Sequence, residues 1–177
     1  MSGLSLRHCI PGLCAAVLFS ALPARGEDPT LLGAYKSWFT YSLGDGDQKV
    51  CYALSKPTAQ EPRKIKRNPA FFLINDWPGR KARAEPEVVP GYQYKDGSPV
   101  TAEVGSEKFA FFTKNDGGSG AAWVLAQADE ERLIDALKNN ATVTVTGISK
   151  RGTTTHDTYT LAGFGDAVDK IHQACGM

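Results

Sequence analysis

The sequence lacks a hydrophobic run long enough to cross a membrane as a helix. Its apolar N-terminal stretch, Ile10–Leu22, would rise only about 20 Å as an α-helix, whereas the hydrocarbon core of a bilayer is about 30 Å thick. The basic pair Arg7-His8 precedes this stretch, and Ala24-Arg25-Gly26 follows it. This order is typical of a cleavable signal peptide covering residues 1–26, with cleavage before Glu27. Cleavage after Leu22-Pro23-Ala24 is the alternative.

The sequence also has no excess of charge of either sign. It contains 20 Lys+Arg and 19 Asp+Glu, a formal net charge of +1, and two of the basic residues leave with the predicted signal peptide. This balance argues against nucleic acid as a partner. The remaining residues 27–177 are enough for one domain, which we expect in the periplasm, at the outer membrane or outside the cell, with no transmembrane segment.

Histidine and cysteine are scarce, which limits the chemistry available. Only His156 and His172 lie beyond the signal peptide, and neither has metal-ligand spacing, so we expect no metal and no cofactor. Two of the four cysteines leave with the signal peptide. Cys51 and Cys175 are then an even count in an exported chain, so we expect them to form a disulfide. Two unpaired buried thiols are the alternative.

Short segments rich in aromatic and β-branched residues alternate with turn signals along the chain. The predicted strands are Tyr35–Leu43, Val50–Leu54, Ala70–Trp77, Glu87–Val89, Tyr92–Tyr94, Val100–Val104, Lys108–Thr113, Ala122–Leu125, Thr142–Ser149 and Thr153–Leu161. Strands of this length and spacing predict an all-β antiparallel sandwich or barrel. Residues 27–33 show no periodicity, and we interpret them as a leader into the fold.

Two segments have helical periodicity instead. A short surface helix is predicted between Asp129 and Asn139. In the last segment, apolar residues recur at the spacing of one helix face; they are Phe164, Ala167, Val168, Ile171 and Cys175. This pattern predicts a C-terminal helix with Cys175 on its buried face, where it can reach a core strand.

Two basic clusters flank the predicted strand Ala70–Trp77. The first consists of Arg63, Lys64, Lys66 and Arg67, and the second of Arg80, Lys81 and Arg83. They would lie about 25 Å apart, since a strand rises about 3.4 Å per residue. They are either solvated loops or contacts for an anionic surface or an acidic envelope or host protein.

Three other features have ordinary structural interpretations. Gly117–Gly120 lacks the Lys-Ser/Thr of a phosphate-binding loop, so we interpret it as a hairpin connection. His156 and Asp157 are adjacent in a strand and should point to opposite faces, which argues against a catalytic triad. A small envelope hydrolase using His156 remains the alternative function. We expect Trp38, Trp77 and Trp123 in the core.

Several segments resemble the bacterial invasion-associated locus B family. They are Cys51-Tyr52-Ala53-Leu54-Ser55-Lys56-Pro57, Gly91-Tyr92-Gln93-Tyr94-Lys95-Asp96-Gly97-Ser98, Ala122-Trp123 and the stretch 147–164, followed by the helix to Cys175. The resemblance runs from about Trp38 to Cys175. Their order and spacing make it specific.

The resemblance implies a Gram-negative exported protein with an immunoglobulin-like antiparallel β-sandwich. It also implies a non-enzymatic interaction protein of the envelope, in a family linked to host-cell invasion in some pathogens. A virulence factor that binds host surfaces is a further alternative. No catalytic residues carry over from the family, and this chain lacks the additional upstream cysteine pair that some members have.

Overall fold

The computed structural model of the protein describes residues 27–63 and 65–177, so the predicted signal peptide and Lys64 lie outside the described residues. Within this part, the strands are β1 Thr30–Tyr35, β2 Trp38–Leu43, β3 Val50–Ser55, β4 Ala59–Glu61, β5 Phe71–Trp77, β6 Ala82–Val89, β7 Val100–Val104, β8 Glu107–Asp116, β9 Ser119–Val124, β10 Thr142–Ile148 and β11 Thr154–Thr160. The helices are α1 Gln127–Asn139 and α2 Phe164–Cys175. Neither helix is long and apolar enough to span a membrane.

All strand pairs among the described residues are antiparallel and join into one open sheet. The strand order is β1-β2-β3-β5-β6-β9-β8-β7-β10-β11-β4. Between β6 and β9 the ladder has only two residue pairs, Glu87 with Trp123 and Val88 with Ala122. This short junction divides the sheet into two halves.

The two halves fold over each other and enclose the core. Phe72 in β5 packs edge-on against Tyr159 in β11, with ring centroids 5.6 Å apart. The indole Nε1 of Trp38 in β2 donates a hydrogen bond to the carbonyl of Thr160 at 3.1 Å. These strands are far apart in the strand order, so the contacts between them close a sandwich. The predicted all-β sandwich with a C-terminal helix is therefore confirmed.

Helix α2 covers the inner side of the first half of the sheet. Glycines in the left-handed region flank it, Gly163 with φ 88° and Gly176 with φ 66°, and the latter is a common helix C-terminal signal. Its buried residues are the predicted stripe Phe164, Ala167, Val168 and Ile171. Phe164 packs edge-on against Trp38 at 5.0 Å, so this apolar stripe anchors the helix in the core.

The C-terminal end of α2 is bound to the sheet by covalent and polar contacts. Cys175 forms a disulfide with the fully buried Cys51 of β3, as predicted. His172 Nδ1 lies 2.6 Å from Oδ2 of the buried Asp76 in β5. Lys49 Nζ donates to the carbonyl of Ala174 at 2.7 Å, where a cation complements the negative end of the helix dipole. The helix and the central strands thus form one unit.

The structure corrects several predicted boundaries. Residues 27–33 were expected to be a leader, but Thr30–Tyr35 forms β1, an edge strand. An edge strand with exposed faces need not alternate in hydrophobicity, which explains the missing signal. The predicted strand Tyr35–Leu43 is β2 preceded by a tight turn at Lys36, where φ is 54°. Strand β6 is longer than the predicted segment Glu87–Val89, and Tyr92–Tyr94 contributes only a bridge from Tyr94 to Ser149.

Candidate functional site

A cleft of about 640 Å³ opens between the segment before β5, the segment after β6 and the turn between β10 and β11. Basic side chains enter it from two sides, Lys66 and Arg67 from the first segment and Lys150 and Arg151 from the turn. The other lining residues are Ile65, Asn68, Gly91, Tyr92, Gln93, Gly118, Ser149, Thr153 and Thr155. None of these described lining residues is acidic. We call this surface the basic cleft.

Backbone contacts bring the walls of the basic cleft together. Gly91 has φ 77°, and a Cβ at this position would collide with the carbonyl of Asn68. The Asn68 amide donates back to the Gly91 carbonyl at 3.0 Å. On the other wall, the Lys150 amide donates to the Gln93 carbonyl at 2.7 Å. The close approach at Gly91 and the hydrogen bond at Lys150 place segments from distant parts of the chain side by side.

Arg67 forms the buried floor of the basic cleft. Its guanidinium makes a two-pronged contact with the Asp157 carboxylate, including Nη1 to Oδ2 at 2.9 Å, and also donates to the Pro90 carbonyl at 3.1 Å. The side chains of Arg67 and Asp157 are only 8% and 4% exposed. Burial raises the pKa of Asp157, and the Arg67 charge opposes that rise. The charge of Arg67 is therefore neutralised by Asp157, and its contacts join the segment before β5 to β11 and to the segment after β6.

Tyr92 completes this floor. Its hydroxyl lies 2.6 Å from Oγ1 of Thr155, and its ring lies beneath the Arg67 guanidinium at 5.6 Å from the ring centroid. Burial raises the pKa of Tyr92, so its hydroxyl stays protonated at neutral pH and can donate a hydrogen bond. The floor is thus a packed network whose members are already satisfied by one another.

The other three cations of the cleft carry uncompensated charge. Lys66, Lys150 and Arg151 are exposed and make no ion pair with any described residue. Lys150 Nζ reaches only the neutral Oε1 of Gln93, at 3.4 Å. Three positive charges therefore line one concavity, next to the hydroxyls of Ser149 and Thr153. This arrangement can bind an anionic group by charge-assisted hydrogen bonds.

The remaining residues of the two predicted clusters lie elsewhere. Arg63 lines a separate depression with His156 and Glu61, and Lys64 lies outside the described residues. The second cluster lines a groove of about 730 Å³ among several carboxylates. Its cations are Arg80, Lys81 and Arg83, and the carboxylates are Glu85, Glu130, Glu131 and Asp135. The two clusters do not share a cleft, and the second one lies among carboxylates, whereas no acidic residue lines the basic cleft.

Sequence reasoning missed Lys150 and Arg151 as candidate site residues. The available signal was two adjacent cations between the predicted strands Thr142–Ser149 and Thr153–Leu161. The glycine-rich segment is a hairpin connection as predicted, because Asp116 pairs with Ser119 across it. Its Gly118 nevertheless borders the basic cleft.

The structure places His156 and Asp157 on opposite sides of β11. His156 is exposed while Asp157 is buried, so the two side chains lie on opposite faces of β11, as predicted. His156 Nδ1 lies 2.9 Å from the Thr146 hydroxyl on the neighbouring strand. Among the described residues, no cluster of His, Cys, Asp or Glu could hold a metal ion.

Trp77 and Trp123 correct the prediction that all three tryptophans lie in the core. Trp38 is fully buried, but the other two are only partly buried and line a pocket on the outward face of the sheet. Alternation along a strand tells which residues share a face but not which face is inside. The strand pattern was therefore correct and the assignment of faces was not.

The fold and the disulfide define the class of the protein, a disulfide-bonded all-β sandwich-like domain with a C-terminal helix. Residues 38–172 match the family model described as Invasion associated locus B (IalB) protein, and the chain belongs to this family. A solved structure, the crystal structure of invasion associated protein B from Bartonella henselae, is similar in fold. The two chains are 11% identical with a TM-score of 0.59, and the match covers 82% of this chain and 98% of that one. No curated protein matches the chain.

Proposed function

We propose that the protein is an exported, non-enzymatic interaction protein of the cell envelope, and that the basic cleft binds an anionic group of its partner. The observation that carries this proposal is the meeting of Lys66, Lys150 and Arg151 in one concavity without a carboxylate. Membership of an invasion-associated family supports a general role in the envelope or in invasion. A role as a host-surface-binding virulence factor would use the same cleft.

The shape of the site favours a projecting acidic group over a flat charged surface. Charges that line a concave wall with little intervening water focus the electrostatic potential inside it. Arg67 is already neutralised by Asp157, so the binding charge comes from the three exposed cations. Such charges are screened by salt, with a Debye length of about 8 Å at physiological ionic strength. Binding should therefore weaken as the salt concentration rises.

The test is a charge reversal with a matched control. In the cleft variant, Lys66, Lys150 and Arg151 are replaced by glutamate; in the control, the exposed Lys81, Arg83 and Lys138 of the other groove are replaced. Both variants change the net charge by the same amount, so only the position of the charges differs. Co-sedimentation of each protein with outer-membrane fragments is measured at about 0.05 M and about 0.3 M salt.

We expect the cleft variant to lose most of its binding and its salt dependence, while the control variant retains both. Equal losses in the two variants would contradict the proposal, because they would show a response to net charge alone. Unchanged binding of the cleft variant would also contradict it. Circular dichroism of each variant checks that the fold is intact.

We also propose that export proceeds through cleavage of residues 1–26, which would leave a single mature domain, residues 27–177. The family membership and the disulfide support this, since disulfides persist in oxidising compartments such as the periplasm. The intact mass of the protein recovered from the periplasm should correspond to a chain that begins near Glu27. A product that retains Met1 would refute the cleavage.

A further inference from the structure

A second pocket, of about 620 Å³, lies on the outward face of the sheet and shares no lining residue with the basic cleft. Its aromatic lining consists of Trp77, Phe112 and Trp123. Trp123 lies directly across from Phe112 in β8 and from Glu87 in β6. The Phe112 and Trp123 rings are 5.7 Å apart and tilted by only 30°, so together they form a broad apolar floor. Phe112 is 40% exposed.

Polar groups with unused hydrogen-bonding capacity lie beside this floor. Asn75 Nδ2 donates to Glu87 Oε2 at 2.9 Å, which fixes the carboxylate and leaves its other oxygen without a hydrogen-bond partner among the described residues. Glu87 is partly buried, and this burial raises the pKa of its carboxyl group. The buried indole N–H of Trp77 also lacks a partner among the described residues. The second oxygen of Glu87 is thus an acceptor next to an apolar platform.

The charges around the pocket exclude acidic ligands. The carboxylates are those of Asp47, Glu85, Glu87 and Glu130, and the cations are Arg80 and Lys114, so the lining has a net negative charge. One of the two cations, Arg80, is engaged, because it stacks on Trp77 at 4.3 Å and reaches Glu85 at 3.3 Å. An anion would therefore meet unfavourable potential here, which is opposite to the situation in the basic cleft.

We propose that this outward pocket binds a saccharide that carries no acidic group. A pyranose ring has an apolar C–H face that can lie on Phe112 and Trp123, and a rim of hydroxyls that can donate to the free oxygen of Glu87. A purely apolar ligand would bury the second oxygen of that carboxylate without a hydrogen bond, which is costly. The volume is within the range of about 300–1,000 Å³ that is usual for small-ligand sites. Aromatic contact with a few placed polar groups is the general pattern of such sites.

The experiment titrates the protein with three ligands: triacetylchitotriose, a neutral saccharide; trigalacturonate, an acidic saccharide of equal length; and tetramethylammonium, a simple organic cation. Tryptophan fluorescence and isothermal calorimetry report binding. The test variants are Phe112→Ala, which removes half of the platform, and Glu87→Gln, which keeps an acceptor for Asn75 but removes the charge. The control is Phe39→Ala, because Phe39 is equally exposed at 41% and lies on the same outward face in β2.

We expect saturable binding of the neutral saccharide, weakened about tenfold by Phe112→Ala and unchanged by Phe39→Ala. Glu87→Gln should also weaken it, since the amide oxygen then accepts from Asn75 and the group that faces the saccharide becomes an NH2 donor instead of a charged acceptor. The proposal fails if triacetylchitotriose does not bind, if trigalacturonate binds as tightly, or if Phe39→Ala causes the same loss as Phe112→Ala. Binding of tetramethylammonium alone would show a cation site and would also overturn it. Because the basic cleft takes no part, these outcomes are independent of the envelope-binding test.

Discussion

Removal of the Cys51–Cys175 disulfide should lower the free energy of unfolding by about 2–5 kcal/mol. The bond joins residues separated by 124 positions, and the chain-entropy model assigns a loop of that length about 5 kcal/mol. The expected loss lies at or below this limit, because residual structure in the reduced unfolded chain already restricts its ends. Cys51 is fully buried and Cys175 only partly, so Cys51→Ala should cost somewhat more than Cys175→Ala through lost packing.

The double variant separates the contribution of the bond to stability from the contribution of the packing of each cysteine. Either single substitution removes the same bond, so the double variant should be barely less stable than Cys51→Ala. The assay is urea unfolding of the exported protein and the three variants, followed by both fluorescence and circular dichroism to check two-state behaviour. The wild-type protein in reducing agent serves as a fifth sample, which lacks the bond but has no substitution.

Two results would refute this reasoning. Two titratable thiols in the native exported protein would show that the residues are not bonded. Losses that add in the double variant would show that each cysteine acts through its own packing and that the shared bond contributes little.

Two further predictions concern buried charge. Asp157→Ala should lower the free energy of unfolding by about 3–5 kcal/mol, because it leaves the Arg67 guanidinium buried without its partner. Glu103→Ala is the control: it removes only an exposed ion pair with Lys108 and should cost less than about 1 kcal/mol. Equal losses in urea unfolding would contradict the structural role of Arg67. Burial raises the pKa of Glu87, so the folded protein holds that proton more tightly than the unfolded chain does, and ionisation of Glu87 opposes folding at neutral pH. Glu87→Gln should therefore raise the free energy of unfolding near pH 7.5, and this gain should disappear as the pH falls to about 4, below the pKa of the unfolded chain. A gain that is constant with pH would show that ionisation of Glu87 is not its cause.

The sequence alone was sufficient to predict those helices and strands that have a clear periodicity within their own residues. The stripe from Phe164 to Ile171 predicts α2, because one turn of helix brings residues three and four apart onto one face. The same stripe places Cys175 on the inner side of that helix, and the cysteine count then leaves Cys51 as its partner. Strand β1 was missed because its exposure leaves no pattern to detect.

The two candidate sites depend on contacts between residues that are distant in the chain. Lys66 and Lys150 face one cleft only because β11 positions Asp157 to bind Arg67 and because Gly91 permits a close approach of two backbones. Trp123 faces outward because of the register between β6, β9 and β8, and a shift by one residue would turn it into the core. Register and packing minimise the free energy of the whole chain, and a local pattern contains no information about which distant segment will provide the partner.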